Sequence, residues 1–185
     1  KDQPDHAEDL ELPRAQAHRC REVLKDLSDG GREDAHVRYA PIVAVLEEAA
    51  RPHRVRGKTL VFRVNGLPAE EAGDAQPVIA RRPEIIHGLR NLIQNAADFA
   101  QETVWIEVRE KEATLRVSVA DDGPGFKPDL LDMLGDPYVT TRGRGAARAE
   151  REGGYQGMGL GLFIAKTLLE RTGARLIFTN GAASA

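Results

Sequence analysis

Two runs of alternating residues near the middle of the chain constrain its fold more than any other feature. Val104, Ile106 and Val108 alternate along the first, and Leu115, Val117 and Val119 along the second, with Lys111, Glu112 and Ala113 as the turn region. Period-two patterning of this kind makes a hairpin whose side chains divide between two faces. A strong helix pattern precedes it. Pro83 and Glu84 open a helix predicted over residues 83–99, and Ile86, Leu89, Ile93 and Ala97 supply its apolar stripe. The same signals predict a short proline-opened helix over 41–50, a strand over 58–64 and a loop over 67–77. They predict a short strand over 78–80, a helix over 160–171 rising from a glycine cluster, and a last strand over 175–179.

The first stretch reads as a helix over residues 5–28. Leu10, Ala17, Cys20, Leu24 and Leu27 recur at spacings of seven, three, four and three, a narrow seam suited to a helical hairpin or coiled coil. Pro13 starts or bends this helix, Asp29-Gly30-Gly31 ends it, and residues 32–34 read as a polar linker. The opening Lys1-Asp2-Gln3-Pro4 is neither an initiator methionine nor a signal peptide, so the chain is expected to be a piece of a longer protein. No stretch approaches the roughly 18 apolar residues of a membrane span. Lys and Arg number 26 against 29 for Asp and Glu, a net charge of −3, which argues against nucleic-acid binding by bulk positive charge. Cys20 is the single cysteine, which excludes an intrachain disulfide and a four-cysteine zinc site.

Three clusters carry chemistry. Asn91 and Asn95 are four apart on the helix read over 83–99 and therefore share a side of it. An amide oxygen coordinates a hard cation such as Mg²⁺ and an amide NH₂ reaches phosphate or ribose, although two polar residues on a solvent face have the same spacing. Asp121-Asp122-Gly123-Pro124-Gly125 follows the second hairpin strand directly. A carboxylate there accepts a hydrogen bond from an exocyclic amine such as that of adenine, and glycine admits a flat ring close to the backbone; the same residues also make an ordinary turn. Gly157-Met158-Gly159-Leu160-Gly161-Leu162 opens the next helix, where backbone amides favour an anion, or where glycines serve as a hinge. Residues 121–156 between the last two clusters are rich in Gly and Pro, and a loop of that length in a compact domain is usually functional or disordered.

Other phosphate motifs fail. Gly57-Lys58-Thr59 resembles the end of a P-loop, but Pro52 stands where its first glycine belongs. Gly157, Gly159 and Gly161 miss the dinucleotide spacing because position 162 is leucine. Neither an H-R-D nor a D-F-G element occurs in a protein-kinase context, and no His/Cys cluster has metal-ligand spacing.

The order of an Asn-bearing helix, D-x-G-x-G after a strand, a long loop and G-x-G-x-G opening a helix resembles the catalytic ATP-binding domain of bacterial sensor histidine kinases. These share their Bergerat-type fold with gyrase, Hsp90 and MutL ATPases. The resemblance covers residues 41–181 and implies an α/β (α+β) two-layer sandwich, a mixed sheet backed by helices, with ATP under a mobile lid. It implies Mg²⁺ on Asn95, phosphate near Asn91, adenine read by Asp121, and Gly123 and Gly125 along the base. Gly157, Met158, Gly159, Leu160, Gly161 and Leu162 are expected at the phosphates. Asp136-Pro137-Tyr138-Val139-Thr140-Thr141-Arg142 resembles the family's Phe-x-Thr-Thr-Lys lid motif, with Tyr138 for Phe and Arg142 for Lys, and Thr140 and Thr141 matching. Asp98 stands where many members carry a basic residue, and Phe99 is placed beside the nucleotide or in the core.

The resemblance implies residues 1–29 as a partial dimerisation helix, 30–40 as a linker and 41–185 as the catalytic domain, with the lid at about 123–156. The phosphoacceptor histidine should be followed by Glu and, soon after, Pro-Leu. His6 and His18 lack that context, so no catalytic residue of that kind is expected in this chain. The implied partners are a response regulator receiver domain and a second copy of the chain, and the implied setting is cytoplasmic, under a parent anchored in a bacterial inner membrane. His18-Arg19-Cys20-Arg21-Glu22 resembles the redox-responsive RegB/PrrB subgroup, where a cysteine near the dimerisation helices links oxidation to kinase shut-off. Neighbouring cations favour a thiolate at Cys20, while the helical seam equally suits a small packed residue. Two other readings remain. One is a regulatory module that uses the pocket for nothing. The other is a gyrase- or MutL-like ATPase, which the sequence disfavours because Glu84 lies seven residues before Asn91 and His87 stands four before it.

Overall fold

The computed structural model describes residues 39–136 and 160–181. The helix and linker expected over residues 1–40 lie outside this range, apart from Tyr39 and Ala40, which form part of a strand. The elements in chain order are β1 (Tyr39–Pro41), α1 (Ile42–Ala50), β2 (Thr59–Val64), β3 (Leu67–Pro68), α2 (Ala69–Ala72), β4 (Val78–Ala80), α3 (Pro83–Phe99), β5 (Thr103–Lys111), β6 (Thr114–Asp121) and α4 (Leu160–Glu170).

β5 and β6 form the expected antiparallel hairpin, with Ile106 opposite Val119 and Val108 opposite Val117. Its connection is two residues long, and Glu112 takes a φ of 55° there. β2 pairs with β5 in parallel, since the intervening chain, including α3, crosses between them. The result is a four-stranded mixed sheet in the order β3-β2-β5-β6. β1 and β4 form a separate two-stranded ribbon, Tyr39 opposite Ala80.

One face of the sheet is apolar. Val64 of β2 and Val104, Ile106 and Val108 of β5 are buried, with Leu60, Phe62, Val117 and Val119 packed around them. α3 covers this face through Ile86, Leu89, Ile93 and Ala97, and α1 joins it through Ile42, Val45, Leu46 and Ala49. Burying a side chain such as Ile93 or Ile106 is worth about 1.5–3 kcal/mol, so the paired stripes hold the two layers together. The two-layer arrangement expected from the sequence is therefore observed.

Two further segments differ from expectation. Residues 67–77 were read as loop, yet Asn65-Gly66 makes a tight turn with φ of 51° and 88°, so that Leu67–Pro68 folds back on β2 before a single helical turn. Asn-Gly supplies the two positive φ values that a two-residue hairpin needs. Residues 175–179 were read as a strand but join no ladder among the described residues. Their alternation is real, since Leu176 packs on the core and Ile177 is exposed. Alternation sets which side faces inward, however, and not whether a free edge is there to pair with. This segment is joined to the loop after β6 through Asn180 instead.

Candidate functional site

α3 positions the first cluster. Asn91 is buried, and its Nδ2 donates to the carbonyl oxygen of His87 one turn earlier at 2.8 Å. That bond fixes the carboxamide and turns Oδ1 toward α4, where a β-carbon on Gly161 would lie 3.9 Å from it. The first described turn of α4 thus lies beside the amide oxygen of Asn91.

The close approach of the two helices has a cause in sequence. Gly88 of α3 faces Leu169 of α4, and a β-carbon there would stand 2.5 Å from Leu169 Cγ. A glycine at this point lets α4 lie near enough for Gly161 to meet Asn91.

The second cluster sits at the far end of α3. Asp121 is opposite Val104, so the alternation of β6 turns it toward the helical layer, the side of Val119 and Val117. Its Oδ1 accepts the N–H of Gly123 at 2.9 Å. Half-burial pushes its pKa above the ordinary 3.8, the Gly123 hydrogen bond pulls the other way, and the charge of Asp122 adds to the rise. Gly123 lies against the carbonyl oxygen of Phe99, which joins the loop after β6 to the C-terminal end of α3.

Asp122 does different work, which the sequence reading did not separate from that of Asp121. Its Oδ1 accepts the N–H of Gln101 at 2.7 Å and its Oδ2 that of Thr103 at 3.0 Å, with the N–H of Glu102 between them at 3.0 and 3.1 Å. Desolvation alone would raise its pKa, but the bonds from Glu102, Thr103 and Gln101 outweigh it and hold the group below 3.8. One carboxylate therefore ties down the turn from α3 into β5, and its neighbour is left facing the site.

Asn91, Asn95 and Phe99 recur every four residues and form one row along α3, with Gly161 near its first member and Gly123 against its last. At 1.5 Å per residue the row is about 12 Å long. Of the residues singled out in sequence, Gly161 lies near Asn91, Gly123 lies against Phe99 and is bonded to Asp121, and Gly125 lies beside Asn180. Asn95 stands between Asn91 and Phe99 on α3, and Leu160 and Leu162 share the first turn of α4 with Gly161. Tyr138, Thr140, Thr141, Gly157, Met158, Gly159 and Cys20 lie outside the described residues. Of the segment expected to be a lid, residues 123–136 are described, and most of them are exposed, with Leu134 and Gly135 seated against the rest of the domain. Leu134 is buried, and a β-carbon on Gly135 would come 2.8 Å from Lys166 Cδ and 3.3 Å from Phe178. Sequence reasoning also missed Asn180, whose carboxamide bonds both backbone polar groups of Phe126. Its signal, an Asn-Gly pair near the C-terminal end, reads as a plain turn.

Among the described residues no group of three or more His, Cys, Asp or Glu side chains is arranged to hold a metal.

A mixed sheet backed by helices, with Asn91 and Asn95 on the helix between Gly161 and Gly123, is the frame within which the comparisons with known proteins fall. Residues 80–183 match the family of histidine kinase-, DNA gyrase B-, and HSP90-like ATPases, and the chain belongs to that family. It is 50% identical over 181 residues to the sensor histidine kinase RegB of Cereibacter sphaeroides, covering 98% of this chain and 38% of that protein. The sensor protein kinase PilS of Pseudomonas aeruginosa is 33% identical over 99 residues, 50% of this chain and 16% of PilS. The chain thus spans well under half the length of these relatives. Among solved structures, the catalytic domain of the histidine kinase ThkA aligns with a TM-score of 0.52 at 21% identity, over 72% of this chain and 79% of that one. The histidine kinase domain of the E. coli osmosensor EnvZ aligns with a TM-score of 0.53 at 20% identity, over 81% and 84%. The fold is that of histidine kinase catalytic domains, as the motif order led one to expect.

Proposed function

We propose that the chain is the ATP-binding catalytic domain of a two-component sensor histidine kinase. It holds Mg²⁺-ATP and donates the γ-phosphoryl group to a histidine on a dimerisation helix, from which a response regulator receiver domain takes it. The observation that carries this reading is the row Asn91–Asn95–Phe99, with Asp121 and Gly123 at one end and Gly161 at the other. Its length of about 12 Å suits a nucleoside triphosphate lying along α3, base at the Gly123 end and phosphates at the Gly161 end. The 50% identity to a sensor histidine kinase over nearly the whole chain supports the same reading.

In this account Asp121 accepts a hydrogen bond from the exocyclic amine of adenine, and Gly123 and Gly125 line the ring. Asn95 would offer its amide oxygen to Mg²⁺, and Asn91 stands one turn away as its phosphate-side neighbour. Mg²⁺ supplies charge neutralisation along the phosphates when bound. The glycines from Gly157 to Gly161 admit the phosphates to backbone amides, and Tyr138, Thr140 and Thr141 belong to the lid. The domain contributes positioning and electrostatic stabilisation, and the acceptor supplies the nucleophile. Residues 1–29 serve as a dimerisation helix, and Cys20, flanked by Arg19 and Arg21, is the redox-responsive thiol.

Transfer to a separately supplied dimerisation-helix polypeptide bearing the acceptor histidine tests the activity. The expected result is acid-labile label on that polypeptide from γ-labelled ATP, lost with Asn95→Ala. Release of inorganic phosphate by this chain with no label on the acceptor would instead favour the ATPase reading.

A further inference from the structure

We propose that Asn180 is a positioning residue for the nucleotide base, acting through the backbone of Gly125 and Phe126. This rests on the nucleotide-binding reading of the site. Asn180 Oδ1 accepts the N–H of Phe126 at 2.7 Å, and its Nδ2 donates to the carbonyl oxygen of Phe126 at 2.8 Å. A carboxamide carries the same donor and acceptor as a peptide group, so Asn180 meets Phe126 as a neighbouring strand would. Gly125 fits this clasp. It has a φ of 71°, and a β-carbon on it would stand 2.9 Å from Asn180 Oδ1.

The loop after β6 is thereby fixed from both sides. Upstream, Asp122 binds the amides of Gln101, Glu102 and Thr103, and Asp121 holds the N–H of Gly123. Downstream, a residue 54 positions away in sequence holds Phe126. The two glycines assigned to the base lie between these anchors. A flat ring packed on backbone tolerates little displacement of it, so freeing Phe126 loosens the base end of the site and leaves the Asn91–Gly161 end as it was.

Calorimetric titration of the full chain with Mg²⁺-ADP, Mg²⁺-GDP and Mg²⁺-tripolyphosphate tests this. Asn180→Ala is expected to weaken ADP binding about tenfold, to narrow the preference of ADP over GDP, and to leave tripolyphosphate binding within twofold. Asn180→Asp keeps the acceptor for the Phe126 N–H, loses the donor, and should fall between. Without ligand, hydrogen exchange at the Phe126 amide should quicken in Asn180→Ala and less so in Asn180→Asp, which keeps its acceptor. Unchanged ADP affinity and selectivity, or an equal loss for ADP and tripolyphosphate, overturns the positioning role. A wild-type chain that binds none of the three overturns the nucleotide reading itself, and this inference with it.

Discussion

Gly123 packs directly on the carbonyl oxygen of Phe99, so that a β-carbon there would collide with it and stand 2.5 Å from Oδ1 of Asp121. Neither obstacle is the free end of a long side chain. Gly123→Ala must therefore push the loop off the end of α3, at a cost of about 1–3 kcal/mol. Thermal unfolding should show that loss, and titration should show ADP affinity falling more than tripolyphosphate affinity. A variant matching the wild type in both would remove this contact from the site.

Asp122 is expected to matter for order rather than for ligand chemistry. Asp122→Ala leaves the amides of Gln101, Glu102 and Thr103 without their acceptor. The melting temperature should fall and exchange at those three amides should quicken, while the base preference of the remaining folded protein persists. Loss of base preference with no change in exchange would assign Asp122 to the ligand instead.

The two adjacent carboxylates should part company on acidification. Burial first, and then the charge of Asp122, raise the pKa of Asp121, so ionising it costs stability; the cost is absent below about 3.8 and complete above its raised pKa. Asp122 is the reverse. Its pKa is lowered, so its contribution is present above 3.8 and is lost as pH falls through its folded value. Between the two pKa values Asp121 is protonated and Asp122 is not. Adenine affinity should therefore decline there while the fold holds, which carboxyl-carbon NMR titration alongside circular dichroism would follow. Simultaneous titration of both groups would contradict the assignment.

Gly88 should prove intolerant for a reason of packing. Gly88→Ala places a carbon 2.5 Å from Leu169 Cγ, which can yield only by moving Leu169 or α4. A loss of about 1–3 kcal/mol is expected, together with weaker phosphate binding as Gly161 moves from Asn91. Combining it with Leu169→Ala should cost less than the two single changes added, since the smaller side chain makes the room. Strict additivity in urea unfolding would mean that the two residues do not share this space.

The sequence made α3 legible to the residue because proline, acidic first turn and apolar stripe all agreed there. The hairpin of β5 and β6 was legible for the same reason, and its alternation carried through to the inward placement of Asp121. What failed was pairing. Residues 175–179 have strand composition, but a ladder needs a free edge that composition does not report. The short β1 was invisible because Tyr39 and Ala40 have no periodicity of their own and are strand only through β4. Asn65-Gly66 is a hairpin turn signal, and β3 follows from it although Leu67 and Pro68 are too few to show a period. In the candidate site, the glycines and asparagines stand out in sequence because their spacing is chemical. Asp122 and Asn180 were not, because their partners are backbone groups, and any residue supplies those.

The most direct test of the account is calorimetric titration of the full chain with a non-hydrolysable ATP analogue, with and without Mg²⁺, beside the variant Asp121→Asn. The account predicts one site of micromolar affinity, strengthened by Mg²⁺, with its preference for adenine over guanine lost in the variant. Binding that ignores both Mg²⁺ and Asp121→Asn, or no binding at all, would contradict it.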